Sequence, residues 1–125
     1  MLDSGVITDS PNPYNAPLLM VPKKDDKKRF CMDYRKLNAA TLKDRFPIPR
    51  IDETLTALHG TRYFTTLDLL AGYWQIPVYG PHRHKTAFKA NGKDYEFNRM
   101  PFGLCNAPST FQMLITFILE KYLHQ

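Results

Sequence analysis

The spacing of hydrophobic and polar positions changes several times along this chain, and each change marks an element. "LLMVPKK" (Leu18 to Lys24) is a short apolar run with Pro22 near its end. "RFCMDYR" (Arg29 to Arg35) alternates, with Phe30, Met32 and Tyr34 on one side and Arg29, Cys31, Asp33 and Arg35 on the other. Period two is the mark of a half-buried strand, so the two runs predict a hairpin turning over "DDKK" (Asp25 to Lys28). Before it, the prolines of "DSPNPYNAP" predict an extended connector, and residues 1–8 read as the tail of a helix. After it, Pro47 and Pro49 keep the chain extended until Ile51, Leu55 and Leu58 recur at helical spacing. Asp52 and Glu53 fall in that helix's first turn, where the helix dipole favours them, and Gly60 ends it.

"RYFTTLDL" is rich in β-branched and aromatic residues and predicts a strand running into the core; Ala71-Gly72 predicts a bend and a short helix after it. "KTAFKA", Asn91-Gly92 and "KDYEFNRM" make the clearest hairpin signal in the chain. "MPFGLCNAP" reads as a loop. From Ala107 a helix carries Phe111, Leu114, Ile115, Ile118, Leu119 and Tyr122 on one face, with Asn106 as N-cap and Pro108 in the first turn. The order of hairpin, helix, strand, hairpin and helix predicts one α+β domain without repeats or an internal boundary. The long apolar face of the last helix, with no element after it, predicts a chain cut from a longer one.

Composition agrees with a packed domain: 125 residues, 43% hydrophobic and 13% aromatic. Nothing approaches the roughly 18 consecutive apolar residues of a membrane span. The N-terminus lacks a signal peptide's basic start and apolar centre, so an intracellular setting is expected. Cys31 and Cys105 are far apart and outside any C-x-x-C, which favours two reduced thiols over a disulfide. The net charge of +5 is unevenly placed. Lys23 to Arg50 holds ten Lys/Arg and four Asp/Glu, or +6, and the other 97 residues sum to −1. Such a segment suits phosphates, or is an ordinary solvated loop.

Asp68 is the sharpest candidate for chemistry. It sits in "YFTTLDLLAGYWQI" with no Lys or Arg between Tyr63 and Ile76. A divalent cation with oxygen ligands would explain it; so would a carboxylate capping a turn. Gly72 would let backbone approach a ligand closely. Tyr73 and Trp74 would stack on a nucleotide or pack in the core, the second being favoured for Trp74. Histidines and serines form no nucleophile or zinc constellation.

Taken in order, "SPNPYNAPLLMVPKK", "RFCMDYRKLNAATLKDRFPIPRID", "YFTTLDLLAGYWQI", "KTAF" and "YEFNRMPFGLCNAPSTFQ" resemble the fingers and N-terminal palm of reverse transcriptases from gypsy-type LTR retrotransposons. The resemblance covers nearly the whole chain. It implies an α+β, partial right-hand polymerase fold: a fingers β-hairpin plus an incomplete palm of antiparallel strands on helices. Residues 1–66 would be mainly fingers with the basic hairpin 18–35. Residues 67–125 would hold the palm start, a fingers hairpin 85–98 and a palm helix 107–123.

The resemblance also implies roles. Asp68 matches the first catalytic aspartate, a ligand of two Mg²⁺ or Mn²⁺ ions, and the Leu69 carbonyl a further metal contact. Tyr73 matches the steric gate under the incoming sugar, and the backbone at Ala71 and Gly72 the triphosphate contacts. Arg29 matches the residue on the α-phosphate, and Lys23 or Lys24 the one near the γ-phosphate. Phe102 and Gly103 match the pocket wall; retroviral relatives usually carry Gln where Phe102 stands, so only a wall role is carried over. Gly103, Asn106 and Pro108 match the loop facing template and primer. The implied partners are an RNA or DNA template–primer, a dNTP, and downstream palm, thumb and ribonuclease H segments, in the cytoplasm or virus-like particles.

One departure matters. The family's second carboxylate pair lies in a Tyr-x-Asp-Asp turn, and no adjacent Asp-Asp follows Asp68; Asp25-Asp26 lies in the basic hairpin. The expectation is a polymerase fragment inactive by itself, the alternative a non-catalytic nucleic-acid-binding remnant of a retroelement.

Overall fold

The computed structural model describes residues 1–22 and 28–122. Five strands and three α-helices are present among them: β1 (Ile7–Asp9), β2 (Leu18–Pro22), β3 (Lys28–Met32), α1 (Arg35–Ala40), α2 (Ile51–Ala57), β4 (Phe88–Ala90), β5 (Lys93–Phe97) and α3 (Ala107–Leu119). Short 3₁₀ segments cover Gly72–Gln75, Gly80–Thr86 and Glu120–Tyr122. The architecture is α+β, as expected.

The two expected hairpins are both present and antiparallel. In the first, β2 and β3 pair from Leu18↔Met32 to Pro22↔Lys28; its turn lies outside the described residues. In the second, β4 and β5 pair from Phe88↔Tyr95 to Ala90↔Lys93. Asn91 and Gly92 take φ of 51° and 74°, the two positive values that a type I′ turn requires. The connector before β2 has no regular structure apart from a bridge between Ala16 and Phe88 of β4, beside which Ala16 N–H donates to the Ala87 carbonyl at 2.8 Å.

The N-terminus differs from expectation. It is a turn with Gly5 at φ 67° followed by β1, which pairs with β5 from Ile7↔Phe97 to Asp9↔Tyr95. Ladder bonds to a distant strand override whatever helical character the first eight residues have. The three-stranded sheet β1-β5-β4 then carries the core: Val6, Ile7, Phe88 and Phe97 bury together with Met32 and Tyr34. Phe88 and Phe97 meet with ring centroids 5.3 Å apart. Trp74 packs against this cluster, the core role favoured for it.

Tyr34 ties both hairpins together. Its hydroxyl donates to the Thr86 carbonyl at 3.0 Å, and the Thr86 hydroxyl accepts from Phe97 N–H at 2.9 Å. Burial pushes the Tyr34 phenol well above its ordinary range. Beside it, the Arg35 guanidinium grips Asp33 at 2.6 Å and holds its carboxyl at about 2.

Four further differences concern where regular structure stops and which side chains the core leaves exposed. β3 stops at Met32 and α1 starts at Arg35; Phe30, out along the hairpin, is exposed where Met32 is buried. α2 forms where its caps and spacing predict, but Ile51, Leu55 and Leu58 are all exposed. "RYFTTLDL" forms no strand: Thr61 to Leu69 is without regular structure and exposed throughout. A strand exists through its partners' hydrogen bonds, and no described strand pairs with this one. α3 half-buries Phe111, Leu114 and Ile115 and leaves Ile118 and Leu119 exposed, as is Tyr122 on the 3₁₀ segment that follows.

Candidate functional site

The bend after Asp68 is built by local chemistry. Ala71 is left-handed, at φ 51° and ψ 44°, a conformation that is rare for a residue with a side chain and concentrates at functional sites. It is held from both sides. Trp74 N–H donates to the Ala71 carbonyl at 2.8 Å, and Gln75 Nε2 reaches back to the Leu70 carbonyl at 2.9 Å. The Leu69 carbonyl accepts no hydrogen bond among the described residues. Asp68 is exposed and makes no hydrogen bond or ion pair among them.

The bend delivers Tyr73 into a set of aromatic rings. Its ring lies 5.0 Å from Phe102 and 5.4 Å, edge-on, from Phe111 of α3. Phe111 also explains Gly72: a Cβ there would stand 2.9 Å from Phe111 Cζ and 3.0 Å from Cε2. Gly72→Val is therefore expected to cost about 1–3 kcal/mol in chemical denaturation. Phe111→Leu, which removes the facing ring edge, should recover part of that loss; strict additivity of the two costs would show that they do not meet.

Two asparagines fix the loop bearing Phe102: Asn38, which the sequence did not single out, and Asn106, expected as a helix cap. Asn38 of α1 uses both ends of its amide on it: Nδ2 donates to the Gly103 carbonyl at 2.7 Å and Oδ1 accepts from Cys105 N–H at 2.9 Å. Asn106 works in the opposite direction. Its Oδ1 accepts from Asp44 N–H at 3.0 Å and its Nδ2 donates to the Leu42 carbonyl at 2.8 Å. Asn106 does precede α3, but its side chain makes no cap bond; it is spent on the 42–44 segment. Asn38 lies inside a helix, where asparagine is a poor former, and that mismatch is the signal that would have pointed to a tertiary role. Gly103, at φ 96°, passes close to β3: a Cβ there would lie 3.4 Å from the Met32 carbonyl oxygen.

The expected site residues thus divide. Asp68, Leu69, Ala71, Gly72, Tyr73, Phe102 and Gly103 fall on one bend and the loop stacked against it. Pro108 opens α3, exposed. Arg29 is described only through its backbone, paired with Val21 in the β2–β3 ribbon; Lys23 and Lys24 lie outside the described residues. For a divalent cation the described residues fit as part of a ligand set: one uncommitted carboxylate and one uncommitted carbonyl, both hard oxygen donors. No group of three His, Cys, Asp or Glu side chains placed to hold a metal exists among the described residues. No helix among them is long and apolar enough to cross a membrane, and Cys31 and Cys105 are free thiols.

Comparison with known proteins gives concordant results. The family profile described as "Reverse transcriptase (RNA-dependent DNA polymerase)" matches residues 21–125. The chain is 48% identical to the retrovirus-related Pol polyprotein from transposon 297 of Drosophila melanogaster, covering 100% of this chain and 12% of that protein. It is 43% identical to the Pol polyprotein from transposon gypsy of the same organism, covering 98% of this chain and 12% of the relative. An RNA-directed DNA polymerase homolog of Oenothera berteroana is 42% identical over 76% of this chain and 67% of its own length. Among solved structures, prototype foamy virus protease-reverse transcriptase superposes with a TM-score of 0.85 at 31% identity, over 98% of this chain and 16% of that one. A foamy viral protease-reverse transcriptase in complex with RNA/DNA hybrid gives 0.81 at 25% identity, over 98% of this chain and 16% of that one. The chain therefore spans about an eighth of the transposon polyproteins that it matches.

Proposed function

The chain belongs to the reverse transcriptase family, and from that membership we propose that it supplies the fingers and first palm portion of an RNA-directed DNA polymerase. Residues 1–66 are then mainly fingers, and 67–125 hold the start of the palm, the β4–β5 hairpin and, in α3, the palm helix. The observation that carries the reading is the strained bend at Ala71. It places an uncommitted carboxylate, Asp68, a few residues before a tyrosine seated between Phe102 and Phe111.

In this reading Asp68 and the Leu69 carbonyl hold part of the metal site. Two bound Mg²⁺ or Mn²⁺ ions would activate the primer hydroxyl and neutralise the triphosphate. The chain's own residues position the reactants. The backbone at Ala71 and Gly72 meets the triphosphate; Lys23 or Lys24 and Arg29 add positive charge to it, a monodentate lysine and a forked guanidinium suiting phosphate oxygens. Tyr73, backed by two rings, sits beneath the sugar and rejects a 2′-hydroxyl by collision. Phe102 and Gly103 wall the pocket beside the nascent pair. Pro108 faces template and primer, and Asn106 acts on them through the loop it holds. An RNA or DNA template–primer and a dNTP are the partners, in the cytoplasm or virus-like particles.

Two further carboxylates are needed, and the family carries them in a Tyr-x-Asp-Asp turn beyond Gln125. A primer-extension assay tests this. The 125-residue chain alone is expected to incorporate no dNTP. The chain continued in frame by the segment that follows in the transposon 297 relative is expected to give template-directed, Mg²⁺- or Mn²⁺-dependent synthesis. Synthesis by the chain alone, or none by the extended protein while it binds template–primer, would overturn the proposal.

A further inference from the structure

A second concentration of positive charge lies outside the 18–35 hairpin in sequence. From Leu69 to Lys93 the chain has no Asp or Glu and holds Arg83, Lys85, Lys89 and Lys93, with His82 and His84 on either side of Arg83. Lys89 pairs with Asp94 at 3.5 Å. Arg83 and Lys85 make no ion pair among the described residues. Both lie on the 3₁₀ segment Gly80–Thr86, in which successive side chains fan out by about a third of a turn.

Two tyrosines flank that segment. Tyr79 meets His82 edge-on with ring centroids 5.3 Å apart, and Tyr14 meets His84 at 5.6 Å. Both tyrosines stay open, 69% and 59% exposed. Neither is loosely placed: at Tyr79 the backbone carbonyl accepts from His82 N–H at 2.8 Å. Tyr14 is fixed by its neighbours, Lys89 N–H donating to Asn15 Oδ1 at 2.9 Å and Ala16 N–H to the Ala87 carbonyl at 2.8 Å. Arg83 is braced by its Nε donating to the Val78 carbonyl at 3.3 Å. Its two terminal nitrogens make no hydrogen bond among the described residues.

Cations alternating with exposed, braced rings are what an unpaired polynucleotide strand recognises: phosphates take the cations and bases stack on the rings. An acidic peptide would use the charges and leave the rings without a role. We propose that Tyr14, Tyr79 and the His82–Lys85 segment form a binding surface for single-stranded nucleic acid. This surface shares no residue with the Tyr73 pocket and does not rest on the polymerase reading.

Fluorescence anisotropy of the 125-residue chain with a labelled oligouridylate, titrated at several salt concentrations, tests it. Arg83→Gln with Lys85→Gln is expected to weaken binding and to reduce the salt slope by about 1.4, from ~0.7 per lost phosphate contact. Tyr79→Ala and Tyr14→Ala are each expected to weaken binding about tenfold with the slope unchanged, the order of one lost base stack. Photocrosslinking of the unmodified protein to a 4-thiouridine oligonucleotide covers the case in which a variant does not fold; crosslinked peptides should contain Tyr14 or Tyr79. Unchanged affinity and slope in folded variants, crosslinks confined to other segments, or equal displacement by polyglutamate would overturn the proposal.

Discussion

Asp68→Asn in the extended polymerase is expected to lower primer extension by on the order of 10²–10³-fold or more, with template–primer affinity unchanged. The substitution keeps the size and removes the charge. Asp68 is exposed and makes no hydrogen bond or ion pair among the described residues, so the change should leave folding intact. In the proposed site it removes a negative oxygen donor at the point where charge develops, and single electrostatic groups at such points are worth about 2.7–4 kcal/mol. A loss of activity matched by a loss of template–primer binding would instead give the residue a binding role.

The second large effect is on stability. Phe88→Ala is expected to destabilise the chain by about 3–5 kcal/mol, a large share of the ~5–15 kcal/mol that holds a typical domain together. Phe88 is 3% exposed and sits where three segments meet. Its ring faces Tyr95 and Phe97 at 5.8 and 5.3 Å, and its backbone bridges to Ala16 of the connector. Ile51→Ala on α2, whose side chain is exposed, is the control and should cost well under 1 kcal/mol. Urea unfolding of the two variants measures the difference; equal midpoints would mean that the core lies elsewhere.

How far the sequence reached is instructive at particular residues. The β4–β5 hairpin was legible because its cause is local: Asn91-Gly92 tolerates the positive φ values that the tight turn needs. The bend at Ala71-Gly72 was expected in the right place, but its cause was not legible: the positive φ falls on Ala71, and the need for glycine at 72 comes from Phe111, far along the chain, which no local pattern reveals. α2 was legible in its bounds and not in its burial, because spacing says which side chains share a face and not what meets that face. The strand expected over "RYFTTLDL" failed likewise: its residues favour a strand, but a ladder needs a partner. Asn38 and Asn106 were missed or misread because an asparagine's two-ended amide can serve a cap, a turn or a distant loop, and only the fold decides. The motif order identified the family, and the role proposed for Asp68 rests on that membership rather than on any contact it makes here.

The central claim is that Asp68 is one carboxylate of a metal site that this chain supplies in part. Mn²⁺ binding followed by electron paramagnetic resonance tests it without relying on turnover. With a dideoxy-terminated primer, template and the next dNTP, the extended protein is expected to bind two Mn²⁺ ions close enough to couple magnetically. Asp68→Asn should abolish the coupled pair, and the 125-residue chain should show no such pair under the same conditions. A coupled pair that survives Asp68→Asn, or that forms on the 125-residue chain alone, would contradict the claim.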